Sequence, residues 1–456
     1  MIKITEQEIF DSRVHSRLGH FLYSLGALPS SLPYNMIQAF FVLFYTTVLG
    51  LSLELAGLIL VFYGIWNAIN DPILGYLMDK RKTKWGRRVP YIVFGTIPFT
   101  LGFILLWAVP WNEELAIFFH GLTMLFLFDL GFTLAMTAWM ALYTEMYREE
   151  RERATVVAIK DLIAFISAML GIMLPPMVAS ALGWPMVGLI FGITIPITML
   201  LSLLGSRERK EYQIDKPMPF FKAFKETLKN KAFLNITVTY TLLDYIFGLT
   251  MTVLPLYALF ILGMDESLIG FAAAGVAIGI IGGIFLWRWI YAHKGPKFGL
   301  MLGIFVFTIT IWPIFLVREF PVLFVITIFP GFGAAGMLMT EPAISAAIDS
   351  DELVTGKRRE ATFTGILTLI ARLSIVFTGI TLILVQIFTG FDSEAETQPP
   401  HAELGLIFLI SFVPLLGGLI TLLVFKFFPL NYSKFLRQQE QLEELHEMRL
   451  GKLESV

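Results

Sequence analysis

The sequence predicts an all-α membrane protein of twelve transmembrane helices, arranged as two six-helix bundles. Three observations predict it. Of 456 residues, 56% are hydrophobic and 15% are charged, against about 45–50% and about 25% in soluble chains. Twelve stretches stay apolar for the ~20 residues needed to cross ~30 Å of hydrocarbon. The basic residues alternate between connections as an even number of spans requires.

The spans are expected at 18–48, 53–78, 89–109, 114–145, 154–180, 184–204, 233–262, 267–292, 299–317, 320–348, 361–390 and 403–428. Several exceed 25 residues, which implies tilt or protruding ends. The apolar runs are continuous and lack the period-2 alternation of barrel strands. No short apolar core with a small-residue cleavage site opens the chain, so no cleaved signal peptide is expected. With 42 Phe and so little charge, the chain lacks the polar surface of a soluble enzyme. Cysteine is absent, which removes disulfides, thiolate metal sites and cysteine nucleophiles. A net charge of −2 gives no reason to expect nucleic acid.

Orientation follows from Lys and Arg. Of 34 such residues, 31 fall on one side, counting Lys160 with the fourth connection. Arg318 alone lies opposite, and Arg288 and Arg372 lie within spans. Both termini are therefore expected in the cytoplasm, with the chain in the cell (plasma) membrane. The longest connection divides the chain into an N-terminal bundle (1–205), a cytoplasmic linker (206–232), a C-terminal bundle (233–428) and a cytoplasmic tail (429–456). In the linker, Phe220, Phe221, Phe224 and Leu228 share a helical face opposite Lys222, Lys225 and Lys229. This reads as an interfacial helix, or as a solvated linker with incidental phenylalanines. The tail reads as a polar helix without chemistry.

Ionisable groups within spans are costly and by default face a cavity or a partner. The deep ones are Asp71, Asp129, Asp244, Glu341 and Arg372. Asp71 stands in Asn67-Ala68-Ile69-Asn70-Asp71-Pro72. Asn67 and Asp71 are four apart and share a face. Pro72 donates no N–H and frees a carbonyl in the preceding turn. These are hard oxygen ligands, suited to a small hard cation; a structural Asp capping a kinked helix is the alternative. Buried Arg372 needs a carboxylate, with Asp129, Asp244 and Glu341 as possible partners. Tyr34, among Ser31, Asn35 and Gln38, and Trp139, near Thr133, are the better aromatic candidates for a binding site. Trp107 and Trp111 read as an interfacial belt.

The segment NAINDPILGYLMDKRKTKWGRRVPY (67–91) resembles the glycoside–pentoside–hexuronide:cation symporter family, melibiose permease-like members of the major facilitator superfamily. IDSDELVTGKRREATFTG (348–365), MALYTEMYREERERAT (140–155) and TLKNKAFL (227–234) extend the resemblance over the whole chain. It implies the major facilitator fold, with a site near the midplane between two halves. It also implies a cation site at Asp71, Asn67, Asn70 and Thr133. Asn67 stands where sodium-coupled members carry a second Asp, so the coupling ion is Na+ or H+. The family's two sugar-binding acids would fall near Ser31 and Met136, and neither acid is present. Its two positive charges are kept, at Lys160 (or its neighbour Asp161) and at Arg372. The substrate-binding set is thus Ser31, Tyr34, Asn35, Trp139, Lys160 and Arg372.

The expected function is cation-coupled symport of a sugar or glycoside by alternating access. The alternative is transport of a non-sugar amphiphile or organic anion, such as a lysophospholipid. The expected partners are a small-molecule substrate, the coupling cation and the bilayer, for a monomer without cofactor. Enzymatic motifs are absent, and the six histidines are scattered. Asp79, Arg87, Arg88, Asp349, Arg358 and Arg359 are expected to form ion pairs that shut the cytoplasmic side in the outward-open state. Their other reading is a topology signal alone.

Overall fold

A computed structural model describes residues 14–80, 86–147, 149–208, 227–338, 340–356, 359–392, 395 and 397–454. A bilayer offers no water to free backbone groups, so a spanning segment must bond its own N–H and C=O groups as a helix. Before the linker the helices are α1 (Arg17–Ser24), α2 (Ala27–Leu43), α3 (Leu53–Lys80), α4 (Val89–Leu106) and α5 (Glu114–Met146). Then come α6 (Glu150–Leu182), α7 (Trp184–Gly192) and α8 (Thr194–Leu204). After the linker, α9 (Lys231–Phe260) starts at Asn230, whose side chain accepts from the N–H of Ala232 and Phe233. It is followed by α10 (Ala274–Ile311), α11 (Phe320–Met337), α12 (Thr340–Thr355) and α13 (Glu360–Ala371). The last are α14 (Leu373–Thr389), α15 (Pro400–Ile407), α16 (Val413–Lys426) and α17 (Tyr432–Glu454).

Among the described residues, ten helical stretches are long and apolar enough to cross a membrane. The twelve expected spans differ from these ten at two places. Residues 17–48 come in three short pieces, α1, α2 and a π-helical turn over Phe44–Val48. Residues 266–316 run as one stretch, but Gly295 inside it has φ 80° and ψ 171°. That left-handed φ is open to glycine at no steric cost, and Pro296 follows it. The residues expected to form the linker helix, Phe220 to Lys225, lie outside the described residues.

Large apolar side chains stand on the outside, Phe285, Phe388 and Phe427 each more than three-quarters exposed. Such a surface suits lipid, not water. Trp107 does not join it: it is fully buried and stacks on Trp184, ring centroids 5.2 Å apart. Trp107 is thus excluded from a belt because α7 covers the end of α4 where it sits, while Trp111 is exposed.

Several contacts join the parts before and after the linker: α3 lies along α14 and touches α13, α2 lies against α9, and α6 against the 3-10 turn over Glu266–Ala273. A Cβ on Gly57 would lie 2.6 Å from the carbonyl oxygen of Gly379, and the reciprocal contact is as close. Small residues let helix backbones approach this closely without a polar driving force. A similar contact sets Gly270 against the carbonyl oxygen of Ile172 on α6, 2.6 Å from a built Cβ.

Candidate functional site

On α3, residues 67, 70 and 71 share one face by the i, i+3, i+4 rule. On α5, Asp129 and Thr133 are one turn apart and face them. Asn67 donates from Nδ2 to Asp129 Oδ1 at 2.6 Å. Asn70 donates from Nδ2 to Asp129 Oδ2 at 2.9 Å and to Thr133 Oγ1 at 3.2 Å. Thr133 donates to Asp71 Oδ1 at 2.8 Å. Arg372, between α13 and α14, sets Nη2 3.4 Å from Asp71 Oδ2. Asn67, Asn70, Asp129 and Thr133 are all buried.

The structure thus brings Asn67, Asn70, Asp71 and Thr133 into one network. Two features differ from the sequence reading. Arg372 pairs with Asp71, not with Asp129, Asp244 or Glu341. Asp129 is a full member of the network. The signal for it lay in the sequence, since Asp129 precedes Thr133 by one helical turn and must share its face.

Beside the network lies a cavity with about 580 Å³ of empty volume, part of it open to the surroundings. Residues of α2, α3, α5, α9 and α14 line it, so it sits between the parts before and after the linker. Seven of its fourteen lining residues carry a polar group: Tyr34, Gln38, Tyr63, Asp244, Thr252, Ser374 and Thr378. Ser374 donates to Asp244 Oδ2 at 2.5 Å. Asn67 Nδ2 also lies 3.4 Å from the Tyr63 hydroxyl as a donor. One side chain therefore touches both the network and the cavity wall.

The family described as MFS/sugar transport protein matches residues 22–432. The chain belongs to that family. It is a membrane transporter and not an enzyme. An uncharacterised symporter of Synechocystis sp. is 24% identical, over 92% of this chain and 95% of its own. The sodium-dependent lysophosphatidylcholine symporter 1 of Gallus gallus is 23% identical, over 93% of this chain and 89% of its own. Among solved structures, a point mutant of the nucleoside transporter NupG superposes with a TM-score of 0.69 at 13% identity. It covers 91% of this chain and 100% of its own, a likeness of fold.

Within this transporter, the other residues singled out from the sequence fall in several places. Tyr34 lines the cavity. Ser31 donates to the carbonyl oxygen of Ala164 at 2.7 Å, and Asn35 to that of Ser31 at 2.8 Å. Ser31 thus ties α2 to α6, whereas Asn35 bonds within α2. Trp139 is fully buried, stacks on Tyr23 at 4.9 Å and donates from Nε1 to Ser202 at 2.8 Å. It packs α5 against α1 and α8 and does not line the cavity. Lys160 lies 3.9 Å from Asp161 and 5.7 Å from the centre of the Tyr143 ring.

The charged segments include several local pairs. Arg87 Nη2 lies 2.9 Å from Glu145 Oε1, and Arg88 Nε 3.8 Å from the same oxygen. The Glu208 carboxylate accepts the backbone N–H of Arg87 at 2.5 and 2.7 Å and of Arg88 at 2.8 Å. Gly86, at φ 102°, makes this loop, and a Cβ there would meet Glu208. Arg359 grips Asp351 with Nε at 2.9 Å and Nη2 at 2.6 Å. In the ion pairs Arg87–Glu145, Arg88–Glu145 and Arg359–Asp351 both partners lie on the same side of the linker. Asp349 is in α12 and Asp79 in the last turn of α3, while Arg358 falls outside the described residues.

Proposed function

We propose that this transporter couples a small hard cation to a sugar or glycoside and moves both by alternating access. The observation that carries the reading is the contact between the Asn67 network and the cavity through Tyr63. A cation that reorganises Asn67 acts on the cavity wall directly. The polar groups of the wall suit a ligand rich in hydroxyl groups, and its tyrosines and phenylalanines can cover sugar faces. Asp71, Asn67, Asn70 and Thr133 form the cation site in this reading. Tyr34 and Arg372 act on the substrate side, with Asp244 as a further hydrogen-bond acceptor.

The chain crosses the membrane twelve times in this reading, as two six-helix bundles with both termini in the cytoplasm. Division at Gly295 and inclusion of 17–48 bring the ten apolar stretches to twelve. The close contacts at Gly57–Gly379 and Gly270–Ile172 lie toward the non-cytoplasmic ends of their helices. They support a form closed outward and open to the cytoplasm. Arg87 then keeps Glu145 as a local partner, and exchanges it for a partner across the linker when the cytoplasmic side closes.

A lysophospholipid is the second reading. The lysophosphatidylcholine symporter similar over nearly the whole chain favours it, as do the mostly apolar surface of the cavity and an arginine for a phosphate. Uptake by proteoliposomes separates the two. A panel of sugars and a short-chain lysophosphatidylcholine are offered under a sodium or a pH gradient. Gradient-driven accumulation of a sugar, lost in Asp71→Asn, supports the first reading. Accumulation of the lysophospholipid alone replaces it with the second.

A further inference from the structure

The network holds two carboxylates and one cationic side chain. Arg372 stands against Asp71. Asp129 is 1% exposed and makes no ion pair among the described residues. Each of its oxygens accepts one neutral amide donor, from Asn67 and Asn70. An ionised carboxylate buried with neutral donors alone is costly unless a cation joins it.

A second atom points the same way. Asn67 Oδ1 is buried with no hydrogen-bond partner, and Asn67 is 2% exposed. It belongs to the same amide whose nitrogen touches Asp129. Buried acceptors without a partner are rare and call for an ion or a water. Thr133 Oγ1, one turn from Asp129, adds a hydroxyl oxygen. Carboxylate, amide and hydroxyl oxygens are hard ligands. No group of three His, Asp or Glu able to hold a metal occurs among the described residues. The charge left over suits one monovalent ion.

We propose that Asp129 is the carboxylate that binds the coupling ion, sodium, together with Asn67 Oδ1 and Thr133. Asp71 is held by Arg372 and passes the occupancy of the site to the cavity. The proposal builds on the cation-coupled reading and moves the ion's charge partner from α3 to α5.

The test titrates sodium alone into the full chain in nanodiscs, by calorimetry in choline buffer. Wild type binds sodium. Asp129→Asn weakens binding at least tenfold, with a melting temperature in sodium-free buffer at or above that of the wild type. Asn67→Asp in the Asp129→Asn background restores most of the affinity, because it returns a carboxylate 2.6 Å away. If Asp129→Asn does not fold, Asn67→Ala carries the test, since it deletes the orphan oxygen and keeps both carboxylates. Its expected loss is also at least tenfold. Binding within threefold of wild type in the variant used overturns the proposal and leaves coupled transport standing. A wild type that binds no sodium also overturns it. If neither a sodium nor a pH gradient drives uptake of either substrate class, the coupled reading itself fails.

Discussion

Arg372 and Asp71 are 301 residues apart in sequence and meet at 3.4 Å, joining the bend between α13 and α14 to the middle of α3. Both side chains keep a quarter or less of their surface exposed. A bond between these elements has to change whenever they move apart. It thus ties the state of the α3 carboxylate to the arrangement of the halves.

Removal of either partner leaves the other charge half-buried and alone, which costs more than the pair itself contributes. Arg372→Gln is expected to lower gradient-driven uptake at least tenfold. A double-mutant cycle with Asp71→Asn, read as sodium affinity or melting free energy, should give a coupling of about 0.5–3 kcal/mol. Additive losses would mean that the two residues do not act together.

Gly57 and Gly379 leave no room for a side chain. Gly57→Leu is expected to separate α3 from α14 at that end and shift the population outward-open. The chain has no cysteine, so single-cysteine labelling needs no prior mutagenesis. Thr252→Cys in the cavity wall should react with an impermeant thiol reagent added from outside at least fivefold faster in the Gly57→Leu background. An unchanged rate would show that this contact does not seal the cavity.

Trp139 is spent on Tyr23 and Ser202. Trp139→Phe should cost about 1 kcal/mol through the lost hydrogen bond, seen as a lower melting temperature. KM for the transported substrate should stay within about twofold. A large KM change at unaltered stability would restore Trp139 to the substrate site.

Glu208 caps the loop at Gly86 with three backbone hydrogen bonds. Glu208→Ala should destabilise the chain by about 1–3 kcal/mol, because the half-buried donors lose a charged acceptor. Gly86→Ala should do so comparably, since φ 102° disfavours a Cβ. Thermal melts in detergent would record both. Two unchanged melts would mark the loop as unimportant to stability.

The helices were legible because an apolar run of twenty residues has one way to satisfy its backbone in lipid. Their breaks were less so. Pro29 and Pro33 sit inside the first span, yet α2 continues through both, and the break falls before it, at Leu25 and Gly26. Face assignments were legible where spacing fixed them, as for Asn67, Asn70 and Asp71. They were not where the partner helix decides. Trp139 and Thr133 are six residues apart, which turns them to different faces of α5, and only α1 and α8 reveal which face is interior. Asp129 was visible as a deep acid, but its role depended on which carboxylate Arg372 would take.

That choice by Arg372 has an electrical side. With Asp71 already neutralised, the loaded and empty forms of the proposed site differ by one elementary charge. The resting potential then does work on every cycle, about 2.3 kcal/mol per charge per 100 mV. For an uncharged cargo this equals a concentration ratio of roughly 50, reached with no sodium gradient at all. Transport would register as a current, and a change in voltage alone would be enough to reverse it.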